Sequence, residues 1–260
     1  MKLRNMPMRK IDKLLEKMKS DMPDMEMLRE APVKLGRQYH YASLPLCIIC
    51  AVFSIGSKYP AELVAVDSYC DAVEYERRGW ERFCDDGKSI SRDRQQSVSQ
   101  MLEIFDVALD NAKSFEDISK ELFSSTQRVS QQDDIFCAEA VYRFALALVQ
   151  IRVEYIGDVG NCQLSYIRKR ELERFIRQIP GQEDGVSLNY LYMLLGNEWH
   201  VKPDMPLLDY MLEAGFEINR ENPCEADNIF HRVYEKIGKD YPFATPRAIY
   251  QLIWCYKNGI

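Results

Sequence analysis

Residues 171–210 read ELERFIRQIPGQEDGVSLNYLYMLLGNEWHVKPDMPLLDY. A basic amphipathic segment runs into a turn, Ile179-Pro180-Gly181-Gln182-Glu183-Asp184-Gly185, and an apolar helix is expected from Val186 to Leu195. A short loop then delivers Lys202-Pro203-Asp204 to the start of a third helix. Two helices joined by a glycine turn leave backbone N–H groups unpaired where the second begins, and such groups suit a phosphate or another anion. Asp204 follows within one helix length. An anion-binding hairpin beside a lone carboxylate is what a nucleotide-processing site needs.

Working outward, no alternating strand pattern interrupts the 260 residues, and apolar residues recur at helical intervals throughout. The expected fold is all-α. Ser43 and Pro45 open the most apolar helix, where Leu46, Ile49, Cys50 and Phe53 recur within a surround that is apolar on every side, so it belongs at the centre. A second helix is expected over Ala61–Glu74. Trp80 to Gln100 is polar and turn-rich and reads as a surface loop or insertion. Amphipathic helices are expected over Met101–Asp110 and Phe115–Phe123, the latter capped by Ser114. A long helix is expected over Ile135–Tyr155, stopped by Gly157 and Gly160. Thr245-Pro246 marks the start of the last helix, Arg247–Lys257.

Hydrophobic residues make up 47% and charged residues 28%, an ordinary globular balance. No apolar run reaches membrane-spanning length and the charged start, MKLRNMPMRKIDKLLEKMKS, carries no secretory pattern, so no membrane partner and a cytoplasmic setting are expected. Of eight cysteines, Cys47 and Cys50 form a C-x-x-C, but within an apolar helix, where core thiols are the expectation rather than a redox pair. No close set of four cysteines suggests a cluster or zinc, and no cofactor is expected. The net charge of −6 argues against a general nucleic-acid binder. The exception is Tyr166–Gln178, where Arg168, Lys169, Arg170, Arg174 and Arg177 face Glu171 and Glu173. A solvated helix face explains such a run equally well.

The hairpin IPGQEDGVSLNY followed by VKPD resembles the helix-hairpin-helix DNA glycosylases, with their L-P-G-x-G-type turn, apolar helix and Asp. Upstream, LPLCIICAVFSIGSKYPAELVAVDSYC is similar to that superfamily's first barrel helix and following loop. The likeness spans most of residues 40–215. It implies two helical lobes with an active-site cleft between them: residues 44–198 with the hairpin, and residues 1–43 with 199–260. It implies a double-stranded DNA partner and hydrolysis of the N-glycosidic bond of a flipped-out damaged or modified base, a hypermodified phage base included. The hairpin residues Gly181, Gln182, Gly185, Val186 and Ser187, with Arg174 and Arg177, would hold phosphate. Lys58 and Tyr59 would wedge the duplex; Trp199, His200 and Tyr190 would line the base pocket.

Cleaving such a bond develops positive charge on the sugar, which one carboxylate can stabilise while orienting a water. Asp204 is the candidate, with Lys202 keeping it ionised. Asp204 before Met205-Pro206 is also a good helix N-cap. The two hairpin glycines equally fit a tight turn, His200 a surface position, and Tyr59 and Trp199 ordinary packing. Three departures from the family stand out. The turn is longer and carries Glu183 and Asp184, whose charges oppose a phosphate. The position of a Schiff-base lysine is filled by Gly185, Val186 and Ser187, which implies a monofunctional enzyme without a lyase step. The iron–sulfur cysteines are missing. The acidic balance also fits a rival, a non-catalytic nucleic-acid or protein binding module on the same scaffold.

Overall fold

The computed structural model describes residues 8–32, 40–56, 60–84, 90–129, 135–159, 164–218 and 225–259. Among them every extended element is a helix: α1 (Met8–Asp21), α2 (Leu44–Phe53), α3 (Ala61–Ala72), α4 (Val98–Asp110), α5 (Phe115–Phe123), α6 (Cys137–Gln150), α7 (Ile156–Val159), α8 (Tyr166–Ile176), α9 (Val186–Leu194), α10 (Met205–Glu213), α11 (Glu225–Ile237) and α12 (Pro246–Asn258). The only extended pairings among described residues are the isolated bridges Tyr41–Phe83 and Arg128–Phe136. The fold is therefore all-α. Among the described residues no helix is long and apolar enough to cross a membrane.

The chain divides into two compact units, Leu35–Gly196 and Met1–Lys34 with Asn197–Ile260. In the first, α2 is the axis. All ten of its residues are buried, and it packs on α3, α6 and α9. A helix apolar on every side can satisfy its surface only by being surrounded. Beside it the Phe123 ring meets Phe53 at 4.9 Å, Tyr69 at 5.7 Å and Phe105 at 6.1 Å between centroids. Each such contact adds about 0.5–1.5 kcal/mol beyond area burial. In the second unit α12 packs on α10 and α11, and α1 on α11. Met18 and Met25 are sealed in that core, where a flexible unbranched side chain fills irregular gaps.

Several expectations from the sequence are corrected here. Ser43 stands at the N-cap of α2, but its hydroxyl bonds the Tyr75 hydroxyl at 2.5 Å instead of capping. The stretch 80–100 is not simply a surface loop. Trp80 is buried edge-on to Tyr75, and Gln96, fully buried, donates its amide to Tyr69 at 2.8 Å. Helix α4 begins earlier than expected, where Ser97 and Gln100 form a reciprocal capping box. Helix α6 ends at Gln150 rather than near Tyr155. Arg152 takes a left-handed φ of 58°, Val153 N–H returns to the Leu148 carbonyl at 3.0 Å, and the Arg168 guanidinium covers the freed carbonyls of Ile151 and Arg152. Gly160 lies outside the described residues and Gly157 sits in α7.

Candidate functional site

The hairpin between α8 and α9 needs two left-handed residues, and glycine supplies both, Gly181 at φ 76° and Gly185 at φ 75°. A Cβ on Gly181 would lie 2.7 Å from Val129, so the turn is pressed against a neighbouring segment of its own unit. Four of its N–H groups are already engaged. Gly181 N–H donates to the Glu183 carboxylate at 3.1 Å and Val186 N–H to the Asp184 carboxylate at 2.9 Å. Gln182 and Gly185 donate to the carbonyls of Ile179 and Gln182. Two of the expected donors, Gly181 and Val186 N–H, are thus occupied by the turn's own acids. The side chains of Gln182 and Ser187 turn inward, 1% and 0% exposed, and bond each other. They cannot reach a strand from there, and Val186 is buried as well. Burial pushes the Asp184 carboxyl up, helped by the Glu183 charge and opposed by Val186 N–H and Arg177. Arg177 closes the turn by donating to the Glu183 carbonyl at 2.5 Å.

The second constellation lies in the other unit. Asp204 is the N-cap of α10, and its Oδ1 accepts from Leu207 N–H at 3.4 Å. Oδ2 accepts from the Tyr250 hydroxyl of α12 at 2.8 Å and lies 3.7 Å from the Lys202 ammonium. The carboxylate is 14% exposed and Lys202 is buried. Burial pushes the Asp204 carboxyl above its ordinary range. Lys202, Tyr250 and Leu207 N–H pull the other way and do not cancel it.

The loop leading to Asp204 is fastened at both ends. Glu198 accepts from Arg247 and from the Thr245 hydroxyl, each at 2.7 Å, which ties it to the start of α12. Val201 N–H donates to Asp227 of α11 at 3.2 Å. Trp199 lies flat on His231, centroids 5.8 Å apart and 8° from parallel, with Tyr234 edge-on at 5.0 Å, and remains 47% exposed. His200 is half-buried in the same loop.

The structure therefore brings Asp204 and Lys202 together, with Trp199 and His200 on the same loop. Tyr190 belongs to the other unit, where it is buried and its hydroxyl receives the Cys50 thiol at 3.8 Å. Arg174 is exposed on α8. Lys58 and Tyr59 lie outside the described residues. The sequence reading missed Tyr250. A buried tyrosine on an amphipathic helix signals that its hydroxyl has a partner, but nothing local says which. Among the described residues no group of three His, Cys, Asp or Glu side chains could hold a metal ion.

Residues 22–258 match the family described as a domain of unknown function (DUF8548). No curated protein and no solved structure matches the chain.

Proposed function

The chain belongs to the DUF8548 family, and we propose that it is a monofunctional DNA glycosylase that hydrolyses the N-glycosidic bond of a damaged or modified base. The observation that carries this is the Asp204 centre. A carboxyl group held by a helix N-terminus and a tyrosine hydroxyl, with its ionisation opposed by burial, has the attributes of a general base or cation-stabilising group. In the proposed reaction the ionised Asp204 faces the sugar as the base departs, offsets the developing positive charge and orients the attacking water. Lys202 and Tyr250 hold the negative charge in place. The exposed Trp199 face offers a surface on which an extruded base can stack. The likeness of IPGQEDGVSLNY and VKPD to helix-hairpin-helix glycosylases supports the same reading. Its thiols, free in all six described cysteines, suit a cytoplasmic site of action.

The hairpin favours a second reading. Its acids occupy two of the amides that a phosphate would use, Gly181 and Val186 N–H, as expected of a binding module that kept the scaffold without the chemistry. One experiment separates the two. Genomic DNAs of differing base modification are incubated with the protein, and released free base is measured by mass spectrometry beside DNA affinity. The glycosylase reading requires release from at least one DNA, abolished in Asp204→Asn with affinity retained. Binding without release from any of them selects the module.

A further inference from the structure

We infer that the outward stripe of α8, formed by Tyr166, Arg170 and Arg174, is the surface that holds a nucleic-acid strand. This rests on the reading that the protein works on nucleic acid, and it moves the contact from the hairpin turn to the helix before it.

The cations of this helix divide by what they touch. Arg168 donates to the carbonyls of Ile151 and Arg152, closing the end of α6. The Lys169 ammonium sits over the Tyr192 ring at 4.9 Å. Arg177 is committed to the Glu183 carbonyl. Arg170 and Arg174 remain exposed, and among the described residues neither forms an ion pair. Each lies over an aromatic ring instead, Arg170 over Tyr166 at 5.8 Å and Arg174 over Phe175 at 4.9 Å. Two exposed arginines outside any ion pair among the described residues, on a chain of net charge −6, can be neutralised by an anion from outside.

Spacing and exposure name the kind of anion. Positions i, i+4 and i+8 share one helix face and extend over roughly 12 Å. That length covers several phosphates of one strand, which advance about 3.4 Å each along the axis. Tyr166, at the head of the row, is 74% exposed, and Ile167 beside it is 69% exposed. A row of guanidinium groups ending in an open tyrosine face combines backbone neutralisation with a stacking platform. Glu171 and Glu173 lie to either side of the row, so the positive strip is narrow. A narrow strip fits one strand better than a broad acidic protein face. Because Glu183 and Asp184 take the hairpin's Gly181 and Val186 N–H, the strand is gripped by side chains here rather than by those backbone donors.

The test is binding of fluorescently labelled single-stranded and duplex oligonucleotides, by anisotropy, between about 50 and 200 mM salt. The proteins are the full chain, Arg170→Glu/Arg174→Glu, Tyr166→Ala, and the charge-matched control Arg77→Glu/Arg143→Glu, two exposed arginines paired with Glu74 and Glu139 in the same unit. All are first checked for unchanged melting. The arginine pair variant is expected to lose at least about tenfold in affinity, and its log–log salt slope to fall by about 2. Tyr166→Ala is expected to weaken single-strand binding more than duplex binding, with the slope unchanged. A wild type that binds neither oligonucleotide overturns the inference, as does a pair variant that binds like Arg77→Glu/Arg143→Glu. So does an effect of the pair seen only on phosphatidylserine vesicles. Binding is read without any base release. A wild type that binds through α8 and releases no base therefore removes the glycosylase and keeps this surface. A base-releasing wild type with an unaffected pair variant does the reverse.

Discussion

The Tyr250 hydroxyl donates to Oδ2 of Asp204 at 2.8 Å, joining α12 to the N-cap of α10 across 46 positions of sequence. The bond favours the charged carboxylate, whereas burial favours the neutral acid, and burial prevails. The folded chain therefore binds this proton more tightly than the unfolded chain does. Stability from this group is fully present below the unfolded pKa and is lost as pH rises through the folded one.

Base release should follow the ionised form, rising with pH along a limb set above the ordinary carboxylate range. Tyr250→Phe removes a stabiliser of the charge, so that limb should move to higher pH, and the Asp204 carboxyl resonance in a carbon-13 titration should move with it. Asp204→Asn should cut the release rate by roughly 10²- to 10⁴-fold while leaving the helix cap largely intact, since Asn caps as well as Asp. A pH–rate profile unchanged in Tyr250→Phe would separate Asp204 from the proposed chemistry.

The two hairpin glycines should differ in their tolerance of alanine. Both sit at positive φ, which costs a substituted residue on the order of 1–3 kcal/mol. At Gly181 the new methyl also meets the branched carbon of Val129 at 2.8 Å, whereas at Gly185 it meets the end of the flexible Arg177 side chain. Gly181→Ala should therefore lie near the top of that range and Gly185→Ala near the bottom, as read from urea denaturation midpoints.

Removing the cap of α4 should cost less. Ser97→Ala deletes one half of a reciprocal pair, with Gln100 N–H at 3.1 Å and Ser97 N–H to the Gln100 side chain at 2.9 Å. A loss of about 1 kcal/mol is expected, and Ser97→Asp should restore most of it. Equal destabilisation by both substitutions would mean that the hydroxyl matters through packing.

Cys47 and Cys50 should behave as core side chains. Both are wholly buried in α2, and burial drives the Cys47 thiol far from ionisation. Under native conditions neither should react with iodoacetamide on the timescale at which the half-exposed Cys255 does, and oxidant should not join them. Rapid native labelling followed by mass spectrometry would reverse this assignment.

What could be read from the residues depended on how far each bond reaches. Helix α5 was legible to its limits because Ser114 and Asp117 cap it reciprocally over three positions. The end of α6 was not, because Arg168, on another helix, donates to the carbonyls of Ile151 and Arg152 just past it. Ser43 looked like a cap and is claimed by Tyr75 instead. The turn was intermediate. Glu183 and Asp184 were visible as charges unfavourable to phosphate, but that they fold back onto Gly181 and Val186 N–H required the backbone path.

By itself the sequence determined that this protein is helical, that α2 is its most enclosed helix, and that Asp204 begins α10. Those properties are set by apolar spacing and by hydrogen bonds that close within four residues. Only the tertiary structure decided that Tyr250 holds the Asp204 carboxylate, that Gln182 and Ser187 face inward, and that Arg170 and Arg174 lack a counter-charge among the described residues while their neighbours on α8 are engaged. Each of these depends on which distant groups arrive beside a side chain, and packing settles that only after the helices exist.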